Sequence, residues 1–160
     1  MAYIESDVAA EKAKPVNVGA DADPDCFLCQ AVFDTEGDKK RYVVHRTDSV
    51  LTVLNKFPYN NGHLLVAPCR HVGRLNDLTT DEKVALVEEM DRLVLKLESL
   101  MFPDGFNIGL NLGRAAGAGL PGHLHWHIVP RWNGDTNYMT TIGSTKVIPQ
   151  ALEALWELLK

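Results

Sequence analysis

The apolar and polar positions fall into short blocks whose period changes once along the chain. Residues 42–45 and 49–54 are rich in β-branched and apolar side chains, with Arg46-Thr47-Asp48 between them, and read as two strands joined by a turn. Residues 55–62 form a loop, because they contain Pro58 and close on the turn-forming pair Asn61-Gly62. Residues 63–68 are the next apolar strand. After Leu75 the period shifts to that of a helix. Leu86, Met90, Leu93, Leu97 and Leu100 recur at helical spacing, with Val87, Val94 and Met101 beside them. Glu82 lies three residues after Thr79, the spacing of a capping box, so the long helix starts there. Pro103-Asp104-Gly105 stops it, and residues 106–111 resume the strand pattern. Residues 147–160 read as a short C-terminal helix with Leu152, Leu155, Trp156 and Leu159 on its apolar side. Strands on both sides of one central helix predict an α+β fold with a mostly antiparallel sheet. Residues 1–24 lack periodicity and read as a partly ordered arm, leaving 25–160 as a single domain. Residues 34–40 read as a polar loop.

One block adds chemistry to the pattern. His123, His125 and His127 alternate with Leu124, Trp126 and Ile128, after a glycine-rich run from Gly113 to Gly122 and before Pro130. On a strand, alternate side chains share a face, so three imidazoles line one side and apolar groups fill the other. Such a face suits a metal site or phosphoryl and nucleotidyl transfer. His63 begins a strand and His45 ends one, and both read as structural or exposed.

Composition narrows the partners. The formal net charge of −5 over 160 residues argues against a general nucleic-acid backbone binder, which needs a concentrated basic surface. The apolar runs are far too short to span a bilayer, and the acidic N-terminal segment has no signal core, so no membrane or secretory role is expected. The three cysteines, Cys26, Cys29 and Cys69, are not a disulfide framework and suit a reducing cytoplasm. Cys26-x-x-Cys29 supplies two thiolates of a tetrahedral zinc site, or is a reduced pair in a turn.

His123-Leu-His125-Trp-His127-Ile-Val resembles the His-φ-His-φ-His-φ-φ signature (φ apolar) of the histidine-triad, or HIT, superfamily. Asn111-Leu-Gly-Arg-Ala-Ala-Gly117-Ala-Gly is similar to its phosphate loop. Leu54-Asn55-Lys-Phe-Pro58, then Gly62-His-Leu-Leu-Val-Ala-Pro68 and Arg70-His71, resemble its ribose-side strand and turn. The similarity covers roughly residues 26–133. Pro130-Arg-Trp-Asn-Gly-Asp135, Asn137 and Lys146-Val-Ile-Pro149 resemble the fragile-histidine-triad-like branch, which includes bacterial diadenosine-tetraphosphate phosphorylases.

The resemblance implies a homodimeric HIT-like fold and attack on the α-phosphate of an adenine dinucleotide or mononucleotide, with a Mg-bound form of the substrate allowed. His125 is then the nucleophile and passes through an adenylyl-histidine, while His127 assists at the phosphate or the leaving-group oxygen. The carbonyl near His123 fixes the tautomer of His125. Gly117, Ala118 and Gly119 cradle the phosphate, Asn111 bonds phosphate oxygens or braces the loop, Asn55 meets the ribose, and Phe27 walls the base. Trp132 stacks on a base or packs the dimer. Lys56 lies along the base edge or at the surface. The expected dimer interface is 81–101 with 106–111. By match to the family, His71 and His123 complete a structural zinc site with Cys26 and Cys29, so no catalytic metal is required.

The chain departs from the family at one place. Many members carry a Gln followed by Ser or Thr just ahead of the triad, where this chain has Gly119 and Leu120. The departure leaves water or phosphate open as acceptor. It also leaves an adenosine phosphoramidase or adenylylsulfatase, or a low-turnover nucleotide-binding protein, as alternatives.

Overall fold

The computed structural model describes residues 22–136 and 148–160. Most of the expected arm, and the tail-motif residues Asn137, Lys146 and Val147, lie outside these. Five strands form one antiparallel sheet: β1 (Val43–Arg46), β2 (Val50–Leu54), β3 (Leu64–Pro68), β4 (Gly105–Leu110) and β5 (Trp126–Arg131), in the order β1-β2-β3-β5-β4. Among the described residues the α-helices are α1 (Phe27–Phe33), α2 (Asp38–Arg41), α3 (Thr80–Met101) and α4 (Leu152–Leu159). This is the α+β arrangement that the sequence predicts. No described helix is long and apolar enough to cross a membrane.

All five residues of β2 and of β3 are buried, because both faces of the sheet are covered. On one face, Leu86, Leu93 and Leu97 of α3 and Leu155, Trp156 and Leu159 of α4 pack on Val50, Leu54, Leu64, Val66 and Ile128. On the other, Cys26, Leu28, Cys29 and Ala31 pack on Val43, Leu51, Val53, Leu65 and Ala67. Full burial of one such leucine contributes about 1.5–3 kcal/mol. Thr52 is the polar exception inside β2. Its hydroxyl donates to Glu89 Oε1 at 2.6 Å, and Arg92 donates to both oxygens of the same carboxylate. His45 also meets Glu89, at 3.1 Å, which places it at the helix face of the sheet.

Helix α3 begins where its capping box requires. The Glu82 N–H donates to Thr79 Oγ1, and the Thr79 N–H to Glu82 Oε2 at 2.8 Å. It ends at Phe102, which adopts the left-handed conformation (φ 48°), and the Trp132 indole N–H donates to the carbonyls of Met101 and Phe102. Val87 is exposed on the outer side of α3. Three local expectations change. Residues 38–41 form a short helix rather than a loop, and residues 27–33, to which the sequence assigns no element, form another. Pro130 does not end β5, which continues to Arg131. The β3 ladder stops at Ile128, so Pro130 sits where one side of β5 is unpaired and a missing N–H is tolerated. His123 and His125 precede the regular strand, on an extended lead-in tied by the Leu124 N–H to the Val72 carbonyl at 2.7 Å.

Candidate functional site

The chain positions its histidines through their second nitrogens. His123 Nε2 lies 2.8 Å from the Pro68 carbonyl, which can only accept, so Nε2 carries the proton. Its Nδ1 lone pair then faces Cys26 Sγ at 3.3 Å and Cys29 Sγ at 3.5 Å. Cys29 Sγ lies 3.1 Å from His71 Nδ1. The four ligand atoms of Cys26, Cys29, His71 and His123 all fall within 4.8 Å of one another. A tetrahedral ion with bonds of about 2.3 Å to sulfur and 2.0 Å to nitrogen needs sulfur–nitrogen edges of about 3.5 Å. The cluster therefore fits a four-coordinate metal, and the Pro68 carbonyl is the outer partner that orients a ligating imidazole. Burial pushes the Cys26 thiol up to about 12 and His123 down to about 4. Both groups are thus neutral without a metal; a bound cation would take the proton from the Cys26 thiol, while His123 would ligate as the neutral imidazole. The cluster closes on itself and holds α1 against the lead-in to β5.

His125 and His127 take opposite tautomers. His125 Nδ1 lies 2.9 Å from the His123 carbonyl, so Nδ1 carries the proton and Nε2 keeps its lone pair. The backbone N–H of Tyr59 donates to His63 Nδ1 at 3.0 Å, which makes that atom an acceptor and places the proton of His63 on Nε2. His63 Nε2 donates in turn to His127 Nδ1 at 2.9 Å. His127 therefore carries its proton on Nε2, a buried atom with no partner among the described residues. Burial and the neighbouring His125 hold His127 down near 4, so it is neutral at pH 7. The two rings stand edge to face with centroids 5.2 Å apart. One presents a lone pair and the other an N–H donor. That pairing suits attack on an electrophile whose charge grows as it reacts.

Both rings line a cleft of about 530 Å³ whose other walls include Phe27, Arg41, Val53, Asn55, Leu65, Gly117, Gly119 and Leu120. Seven of the expected residues meet here: Phe27, Asn55, Lys56, Gly117, Gly119, His125 and His127. Asn55 also forms a local turn, its Oδ1 accepting the Phe57 N–H at 2.9 Å, so the turn and the cleft share one side chain. Asn111, Ala118 and Trp132 are not among the lining residues. Asn111 lies close to the glycine loop, its Nδ2 3.9 Å from where a Cβ on Gly117 would sit. Ala118 and Gly117 spend their N–H groups within the loop, on the carbonyls of Gly113 and Arg114. Among the described residues the Gly119 N–H has no such acceptor, so of the three amides expected to cradle phosphate it is the one available. Trp132 serves the end of α3.

Sequence reasoning missed His63, which is fully buried, and Arg41. The signal for His63 was its place after Asn61-Gly62, where it opens β3 beside β5. Arg41 ends the run Lys39-Lys40-Arg41, which looks like a solvated charge cluster.

Residues 36–134 match the HIT domain family, and the chain belongs to that family. It is 49% identical over 115 residues to an AP-4-A phosphorylase of Mycobacterium tuberculosis, covering 72% of this chain and 59% of that protein. It thus spans about three fifths of the length of that relative. It is 37% identical over 93 residues to an asymmetrical bis(5'-nucleosyl)-tetraphosphatase of Schizosaccharomyces pombe, covering 58% of this chain and 50% of the relative. A Zn-bound histidine triad family protein from Mycobacterium smegmatis has the same fold. Its TM-score is 0.67 at 28% identity, covering 84% of this chain and 90% of that one.

Proposed function

We propose that this chain cleaves dinucleoside polyphosphates by nucleotidyl transfer through His125. The opposed tautomers of His125 and His127 carry the reading. The His125 Nε2 lone pair attacks the α-phosphorus and forms a P–N bond, while the P–O bond to the leaving nucleotide breaks. The His127 Nε2–H donates to the phosphate or the departing oxygen, and the Gly119 N–H takes up charge on the phosphoryl group. Water or inorganic phosphate then attacks the adenylyl-histidine, the P–N bond breaks, and AMP or ADP leaves. A neutral imidazole needs no base to activate it at pH 7. Similarity to an AP-4-A phosphorylase favours phosphate as the acceptor.

Zinc suits the Cys26, Cys29, His71 and His123 cluster, whose mixed thiolate and imidazole ligands are its usual structural set. When bound it supplies a structural clamp, and the chemistry stays with the histidines. A two-fold dimer across β4 and α3 fits the open edge of β4, where Ile108 is exposed. The unpaired cysteines fit a cytoplasmic setting.

Incubation with diadenosine tetraphosphate tests the reading. ADP plus ATP formed only with phosphate identifies a phosphorylase, and AMP plus ATP without it identifies a hydrolase. His125→Asn is expected to abolish both while retaining nucleotide binding. No turnover of this substrate under either condition, or full activity in His125→Asn, overturns the proposal.

A further inference from the structure

The cleft has a direction set by strand register. Val43 pairs with Val53, Val53 with Leu65, and Leu65 with His127, which makes one row across four strands. Three strand spacings of about 4.8 Å separate the ends of that row by roughly 14 Å. Val43, Val53 and Leu65 belong to the same buried cluster, beneath α1. The floor of the cleft therefore runs, apolar, from the histidines toward the start of β1. Arg41 stands two residues before Val43 and lines the cleft at that far end.

Arg41 is not a loose surface cation. Its Nε donates to Asp34 Oδ2 at 2.9 Å, and its Nη1 to Gln30 Oε1 at 3.0 Å. Gln30 is held in turn by its Nε2 donating to the Pro24 carbonyl at 2.7 Å. The Arg41 side chain is only 13% exposed. Among the described residues its Nη2 meets no acceptor. A fixed guanidinium edge thus lines the same cleft as Phe27, a half-exposed aromatic ring. An aromatic face and a rigid donor edge at the far end of an apolar floor are what a nucleobase needs. The ring offers stacking, and the donor selects bases by their acceptor atoms.

We propose that Arg41 is a specificity-determining residue that donates from Nη2 to an acceptor on the distal edge of a purine base. The inference rests on the nucleotide reading above. Asp34 and Gln30 are positioning residues that aim the guanidinium.

The test is binding of AMP, GMP, 1-deaza-AMP, 7-deaza-AMP and ribose 5-phosphate to the wild type and to Arg41→Met, by calorimetry. Met keeps much of the length of the side chain and removes its donors. In the wild type one of the two deaza analogues is expected to bind about tenfold more weakly than AMP, which locates the acceptor. In Arg41→Met that difference disappears, AMP weakens about tenfold, GMP weakens with it where the 7-deaza analogue is the weak one, and ribose 5-phosphate binds as before. Asp34→Asn is expected to blunt the discrimination, and it serves as the test should Arg41→Met not fold. Equal weakening of ribose 5-phosphate, or discrimination retained in the variants, overturns the role of Arg41. Failure of the wild type to bind any nucleotide overturns the nucleotide reading itself.

Discussion

His63 is not itself a wall of the cleft, yet it sets the proton that faces the cleft. Replacing it with Phe fills its buried space and removes both ring nitrogens. The Tyr59 N–H loses its acceptor, and His127 Nδ1 loses the donor 2.9 Å away. A buried polar atom left without its partner costs about 1–3 kcal/mol. The His63 donor stabilised only the tautomer with Nε2–H, so its loss removes about that much of the preference for the form that faces the cleft. Each 1.4 kcal/mol is about a factor of ten in rate. His63→Phe should therefore lower kcat by roughly tenfold to a hundredfold, with KM changed little because the cleft walls remain. His63→Gln supplies an oxygen for the Tyr59 N–H and an amide donor for His127, and should recover much of the loss. Steady-state turnover of diadenosine tetraphosphate measures both variants, with thermal melting to confirm folding. If His63→Phe stays within twofold of wild type, or if the Gln variant is no better than the Phe variant, the relay from Tyr59 to His127 is not what fixes the proton.

Other perturbations reach the same architecture. Removing metal with a strong chelator, or substituting Cys26→Ser, should lower the melting temperature and abolish stoichiometric zinc measured by elemental analysis; full metal content in Cys26→Ser would contradict the cluster. The Arg70 guanidinium hydrogen-bonds Glu82 and holds its carboxyl down at about 2, below its ordinary 4.5. The folded-state value is depressed, so this stabilisation is complete above pH 4.5 and is lost as pH falls toward 2. Because Arg70 is half exposed, its size is about 1–2 kcal/mol. Glu82→Gln should flatten that part of the acid-denaturation profile, and an unchanged profile would count against the pair. Leu93→Ala, at a fully buried position of α3, should cost about 2–5 kcal/mol in urea denaturation. A loss below about 1 kcal/mol would show that α3 repacks freely on the sheet.

Much of the frame was legible in the pattern of side chains. The capping box at Thr79 and Glu82 is local chemistry, and α3 is long enough for its period to declare itself. The alternation at His123 to Ile128 separates the imidazoles from the apolar residues that pack into the core. Other features depend on partners distant in sequence. Helix α1 has seven residues, too few for a period, and its N-cap is a cysteine sulfur rather than a hydroxyl or carboxylate. His63 gains its role from residue 127, which only strand pairing brings alongside. Trp132 reads as a base platform or a dimer contact, and nothing in the sequence shows that its N–H donates to the end of a helix thirty residues earlier. The glycine loop promised three backbone donors, and its own turn consumes two of them.

The segment Cys26-Phe27-Leu28-Cys29 should tolerate few substitutions. Its first and last residues belong to the Cys26, Cys29, His71 and His123 cluster, Leu28 is wholly buried on the core side of α1, and Phe27 walls the cleft. Four consecutive positions thus answer to three separate demands, with no spare residue among them. Exposure alone would rank Phe27, at 45%, as freely replaceable. A saturation scan scored on catalysis should instead find it nearly as intolerant as its buried neighbours. The same scan scored on folding alone should release Phe27 and keep the other three.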